Sequence, residues 1–270
     1  MERGTGMSRA DHLSSPRYGL RHVARMEWIK LGTLRSTWWT LVITLAGTVG
    51  IGVAVGANTR NAAGDLTNNA LAGVAPGLLL AGVLGVLTMS GEYGSGTIRS
   101  TLLAVPRRPL VLAAKAAVFG AVMLAVGEAA AFISFFAGGL ALRHGIPAPG
   151  LTQHDVLRAV LLAGASYSLI GLFGLGLGAI IRHSAASIAV LVGGVYVAGQ
   201  FVGFIAHAAA AYMPILIVGN SLTITKPPPC VGNSVGCIPF LSPWSGLAVL
   251  CGYAAAALAV GGWLLVRRDA

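Results

Sequence analysis

The chain has 270 residues, of which 56% are hydrophobic and only 10% charged, with a mean hydropathy of +0.79 and a formal net charge of +10. Soluble domains carry about a quarter charged residues, so a water-soluble enzyme or binding module is excluded and the bilayer is the solvent. Nor does the charge mark a nucleic-acid protein, because the basic residues are scattered over short loops with no domain large enough to present a groove.

Residues 1–18 are polar, charged and poor in large apolar side chains, which predicts a disordered cytoplasmic tail. The next segment, "GLRHVARMEWIKLGTLRSTWW", repeats Leu20, Val23, Ala24, Trp28, Leu31, Leu34 and Trp38 at helical spacing. It reads as an amphipathic interfacial helix over 19–36 leading into the first span. Glu27 projects close to that apolar stripe. Either it makes an i,i+3 ion pair with Lys30, or Glu27 and Lys30 form an interface to a cytoplasmic partner.

A helix crosses the roughly 30 Å of hydrocarbon with about 20 apolar residues. Six stretches reach that length, about Thr37–Ala57, Leu71–Ser90, Leu110–Leu142, Val156–Ile181, Ala185–Ala206 and Trp244–Val266. The expected fold is therefore an all-α polytopic membrane protein whose transmembrane domain occupies 37–270. The first span is preceded by too long a polar segment to be a cleaved signal peptide and is expected to be retained.

Between the second and third spans lies "SGEYGSGTIRSTLLAVPRRPLVLAAK", Ser90 to Lys115. Glu92 and Tyr93 leave the membrane, Gly94 and Gly96 loosen the backbone, and residues 97–105 have the length of a short helix. Its Ile98, Thr101, Leu102 and Val105 share one face and Arg99 and Ser100 another, and Pro106 stops it. Arg107, Arg108 and Lys115 follow as a basic return.

The third span is overlong and is expected to tilt or to begin before the membrane. It carries Glu128, a lone carboxylate near its middle, where an unpaired charge costs at least roughly 2.5 kcal/mol. Glu128 should face the bundle, either in a transport path or hydrogen-bonded to a group such as Tyr167, Ser166 or Gln200. Gly52 with Gly56, and Gly174 with Gly178, have the spacing that lets helices approach closely. The run "GLFGLGLG", Gly171 to Gly178, has no Lys and sits in an apolar stretch, which favours helix packing or local flexibility over a nucleotide loop. His183 is expected to cap the fourth span.

Residues 207–243 form an external loop, with a short re-entrant or interfacial helix near Ala208–Val218 and a proline run at Pro227–Pro229 that enforces extended chain. Cys230 and Cys237 lie there with six residues between them, on the oxidising side. A disulfide is the expected state, with two free thiols as the alternative. A metal site is disfavoured because two sulfurs with no adjacent His or carboxylate are too few ligands.

Loops rich in Lys and Arg stay in the cytoplasm. Arg3, Arg9, Arg17, Arg21, Arg25, Lys30 and Arg35 precede the first span, Arg99, Arg107, Arg108 and Lys115 follow the second, Arg182 follows the fourth, and Arg267 and Arg268 end the last. The other side holds only Arg60, Arg143, Arg158 and Lys226, so both termini are expected in the cytoplasm, in a multi-pass plasma-membrane protein.

The stretch "EYGSGTIRSTLLAVPRRPLVLAAK" resembles the cytoplasmic loop between the second and third helices of permease subunits of ABC transporters of the second exporter class. The matching positions are Glu92, Gly96, Thr97, Arg99, Leu102, Pro106, Arg107 or Arg108, and Lys115. "MEWIKLGTLRSTWW" and the ending "RRDA" resemble the family's two ends. The resemblance implies that the short helix is a coupling helix docking on a separate ATP-binding subunit. Glu92 and Arg99 would then make polar contacts near the docking site, Gly96 the turn and Pro106 the helix end. It further implies a second permease copy, identical or related, and export as the direction of transport.

This chain lacks the phosphate-binding loop: none of Lys30, Lys115 and Lys226 is preceded by Gly and followed by Ser or Thr. No catalytic residue and no bound cofactor is expected here, ATP and magnesium belonging to the partner. An intramembrane hydrolase is disfavoured, because Glu128 is the only carboxylate deep in a span and no His-Glu-x-x-His or Gly-x-Ser-x-Gly is present. The main alternative is a secondary transporter driven by an ion gradient, whose sites also sit at mid-membrane on glycine-interrupted helices.

Overall fold

The computed structural model describes residues 19–60, 64–105, 107–143, 146–153, 155–198, 201–202, 207–224 and 241–268, and every element among them is helical. Helix α1 (Leu20–Thr33) is followed by α2 (Arg35–Asn58), a short α3 (Leu66–Ala70), α4 (Val74–Gly94), the short α5 (Thr97–Ala104), α6 (Arg108–Leu140) and α7 (Val156–Ile181). Then come α8 (Ser184–Val192), continued by a π-helical turn at Gly193–Val197, the small α9 (His207–Ala210), α10 (Pro214–Leu222) and α11 (Pro243–Arg267). The expected tail over 1–18, Pro106, Gln200 and the cysteines Cys230 and Cys237 lie outside the described residues.

Five of these helices, α2, α4, α6, α7 and α11, are long and apolar enough to cross a membrane. The fifth expected span corresponds to a shorter apolar helix over Ser184–Val197. The third span is 33 residues long, about 50 Å at 1.5 Å per residue, which exceeds the hydrocarbon thickness as its sequence anticipated. Pro109, Pro214 and Pro243 stand in the first turns of α6, α10 and α11, where a missing N–H is harmless.

Helix α7 is the centre of the bundle, with α4, α6 and α11 around it and α2 packed on α6 and α4. Lipid offers no hydrophobic drive for helix association, so close packing of small residues has to hold these helices together. The glycine-rich run of α7 supplies it on several sides. A Cβ on Gly174 would collide with the Gly82 carbonyl of α4, one on Gly176 with Ala257 of α11, and one on Gly171 with the Phe119 ring of α6. Gly52 and Gly56 serve α2 in the same way, against Ser134 and the Gly138 carbonyl of α6.

Buried polar groups finish the seams. Tyr167 on α7 hydrogen-bonds Thr48 on α2 at 2.7 Å, and Ser134 donates to the Ala70 carbonyl at 2.7 Å. Segment Ser184–Val197 runs along α4: Ser184 and Ser90 hydroxyls lie 2.9 Å apart at one end, and the Tyr196 hydroxyl donates to the Ala75 carbonyl (2.8 Å) at the other.

His183 does not cap the fourth span. Arg182, in the left-handed conformation at φ 61°, closes α7 by donating its N–H to Gly178, and the His183 ring instead accepts from the Ala186 N–H at the start of α8. A side-chain acceptor answers the free N–H groups that begin a helix, while the end of a helix leaves carbonyls; His183 therefore serves the helix that follows it.

Candidate functional site

Helix α1 buries Val23, Glu27 and Leu31 on one face, while Leu20, Trp28 and Leu34 point outward. The apolar stripe expected to lie on one surface is thus divided between protein and surroundings. Val23 packs with Val105, Val111 and Ala114, holding α1 against the end of α5 and the start of α6. Glu27 is carried inward with them and is 1% exposed.

Four charges meet there. Lys115, two turns into α6 and 2% exposed, donates to Glu27 Oε2 at 2.5 Å and to Glu92 Oε1 at 2.9 Å. Lys30 donates to the same Glu92 oxygen at 3.0 Å, to Glu27 Oε1 at 3.3 Å and to Thr101 Oγ1 at 3.1 Å. Two carboxylates and two ammonium groups cancel in charge, so a network that would be prohibitive unpaired is tolerated at this depth. Its members come from α1, α4, α5 and α6, and it fastens the interfacial helix, the end of the second span, the short helix and the start of the third span together. Burial lowers the Lys30 pKa, but Glu27 and Glu92 more than offset it and hold the ammonium above its ordinary value. A cavity of about 460 Å³ opens beside the network, lined by Lys30, Leu34, Thr88, Glu92 and Thr97 among others.

Helix α5 hangs from this network. Gly96 stands before it at φ 73°, a conformation in which a side chain is strained, and this reverses the chain out of α4. Ile98, Thr101 and Val105 are buried and Leu102 partly so, whereas Arg99, Ser100 and Leu103 are exposed, Leu103 by 86%. Thr97 is exposed and its hydroxyl lies 2.9 Å from that of Ser95. Arg107 is exposed, and Arg108 donates to the carbonyls of Leu265 and Arg268.

The same end of the bundle holds the ends of α7 and α11. The Arg182 guanidinium sits 5.0 Å over the Tyr93 ring and donates to the Leu264 carbonyl. At the opposite end, Asp65 caps α3 through the Asn68 N–H and accepts from the Ile224 N–H, and Arg158 reaches Asp155 and the Thr223 carbonyl.

Glu128 lies apart from both clusters. It packs against Gly164 of α7, where a Cβ would strike its carboxyl, and its Oε2 has no hydrogen-bond partner among the described residues. Two of its expected partners are engaged elsewhere, Tyr167 with Thr48 and Ser166 with the Leu162 carbonyl.

Sequence reading missed the pairing role of Lys115, which it took for an anchor of the basic return, and the part played by Thr101. The signal was present: Glu92 and Lys115 are lone charges at the margins of apolar runs, and such charges need partners when the runs pack. No protein-family model and no curated protein matches the chain.

Proposed function

We propose that this chain is the membrane-spanning permease subunit of an ATP-driven ABC exporter in the plasma membrane, with α5 as the helix that couples it to a separate ATPase subunit. The observation that carries the reading is the construction of α5. A short helix stands outside the long apolar helices, exposes Arg99, Ser100 and Leu103, and is tied through Thr101 and Lys30 to both flanking spans. A lever of that kind passes on motion only if it is stiffly joined to what it moves, because a nucleotide shifts an equilibrium solely through contacts that differ between states.

In this reading Arg99 and Leu103 face the ATPase, Glu92 and Lys115 transmit its movement to the second and third spans, and Ser184–Val197 with the residues after it completes six spans. Both termini and the charged network are then cytoplasmic, in keeping with the excess of basic residues there. ATP and magnesium bind the partner, and a second permease copy completes the transport path. A gradient-driven transporter is the second reading, favoured by Glu128 against Gly164, whose Oε2 meets no hydrogen-bond partner among the described residues.

The test is affinity purification of the tagged chain from its native membrane in mild detergent, with identification of copurifying chains and an ATPase assay. An ATP-binding subunit with vanadate-sensitive activity should copurify and be lost on Leu103→Asp. Recovery of the chain alone, with transport that follows an ion gradient, would reject the exporter reading in favour of the second.

A further inference from the structure

The cavity beside the charged network measures about 460 Å³, within the range of roughly 300–1,000 Å³ typical of small-molecule sites. The end of α4 forms one wall. Thr88 and Glu92 stand four residues apart there and so share a face, with Leu87 and Gly91 beside them. Helix α1 adds Leu31 and Thr33, and Leu34 follows at the break before α2.

The polar lining keeps acceptors to spare. Thr33, Thr88 and Ser95 give their hydroxyl hydrogens to the carbonyls of Lys30, Leu84 and Gly91 (3.1, 2.7 and 2.8 Å) and retain lone pairs. Lys30 spends its three donors on Glu27, Glu92 and Thr101. Glu92 receives both lysines on Oε1, and its buried Oε2 has no hydrogen-bond partner among the described residues. An oxygen left in that state is costly until a donor reaches it.

Charge narrows the choice of donor. Glu27, Glu92, Lys30 and Lys115 already cancel, so a cationic head would leave the site with a net charge, and an anionic head would bring more acceptors to a wall of lone pairs. Leu34 and Leu87 are 52% and 43% exposed, and Leu87 belongs to a membrane-length helix, which gives the cavity an apolar edge toward the bilayer.

We propose that this cavity binds a neutral, single-chain, hydroxyl-headed amphiphile drawn from the bilayer. Its hydroxyl groups donate to Glu92 Oε2 and Thr88 Oγ1, and its alkyl chain leaves over Leu87 and Leu34. The proposal is independent of the exporter reading, since it uses only the cavity and the bilayer.

Native mass spectrometry of the full chain in an amine-oxide detergent, whose head carries no N–H or O–H, tests it with three probes that share one acyl chain: monooleoylglycerol, methyl oleate and oleate. Monooleoylglycerol should be retained at least roughly tenfold better than methyl oleate, which has no donor, and better than the anionic oleate. Thr88→Val removes one acceptor and should weaken its retention roughly fivefold. Gly91→Leu adds a side chain to the lining where a Cβ meets open space and should expel the lipid, whereas Gly252→Leu, equally unhindered on α11, should retain it. Any of three results would overturn the site: equal retention of monooleoylglycerol and methyl oleate, equal retention in the Gly91 and Gly252 variants, or retention of none of the probes, which would leave the cavity to water.

Discussion

Lys115 illustrates how a buried charge is held. It is enclosed by the two carboxylates that neutralise it, so removing it leaves Glu27 buried with Lys30 as its only described cation. Lys115→Met should lower stability by about 3–5 kcal/mol, and adding Glu27→Leu should restore most of it, because apolar pairs commonly replace buried ion pairs without loss. Thermal unfolding in detergent measures both. Lys30 has a raised pKa, so its contribution is complete below the ordinary lysine value of 10.5 and fades only as pH climbs through the higher folded value. Hydrogen-exchange protection of α5, corrected for the intrinsic rise of exchange with pH, should therefore stay constant from neutral pH to about the ordinary lysine value of 10.5 and decline as pH climbs beyond it. Glu128 presents the reverse case, a carboxyl with an oxygen no described residue answers. Glu128→Gln should leave the unfolding midpoint unchanged or higher, and a clear drop would reveal a partner for the charge.

At the scale of elements, the bundle depends on glycine faces more than on apolar content, since lipid is as apolar as the interior. Gly174→Leu would drive a side chain into the Gly82 carbonyl of α4. Overpacking of this kind costs about 1–3 kcal/mol, and more against rigid backbone; the same change at Gly252, which has open space, should be nearly silent in the same assay. Helix α5 behaves differently, because its exposed Leu103 has no neighbour among the described residues to disturb. Leu103→Asp should therefore leave the unfolding midpoint within about 0.5 kcal/mol of the parent while, on the proposed exporter reading, abolishing capture of an ATPase subunit.

For the molecule as a whole, the contacts at one end join α1, α5, the start of α6 and the ends of α4, α7 and α11, while Asp65, Arg158 and Thr223 meet at the other. Chain segments with the densest positive charge thus share one end. On the positive-inside rule that end is the one proposed to face the cytoplasm. Single cysteines placed at the exposed Ser100 and Asn58 in a background without other cysteines should be labelled by an impermeant maleimide from opposite sides of the membrane, Asn58→Cys from outside.

The amino-acid sequence by itself determined the solvent of this protein, the long helices and the short helix between the second and third spans. Apolar run length, proline punctuation and charge asymmetry are local quantities that the bilayer reads directly. The five long helices and the short one fall close to their expected ranges for that reason. Beyond the i,i+3 pair of Glu27 with Lys30, which the sequence already offered, only the tertiary structure decided which charges meet. Glu27, Lys30, Glu92, Thr101 and Lys115 come from four helices, with up to 88 positions separating an interacting pair, and no periodicity within any one helix encodes that encounter. The split of the α1 stripe follows from the same cause: which apolar face of a helix is buried depends on the neighbour that packs against it, and that neighbour is chosen by the whole fold.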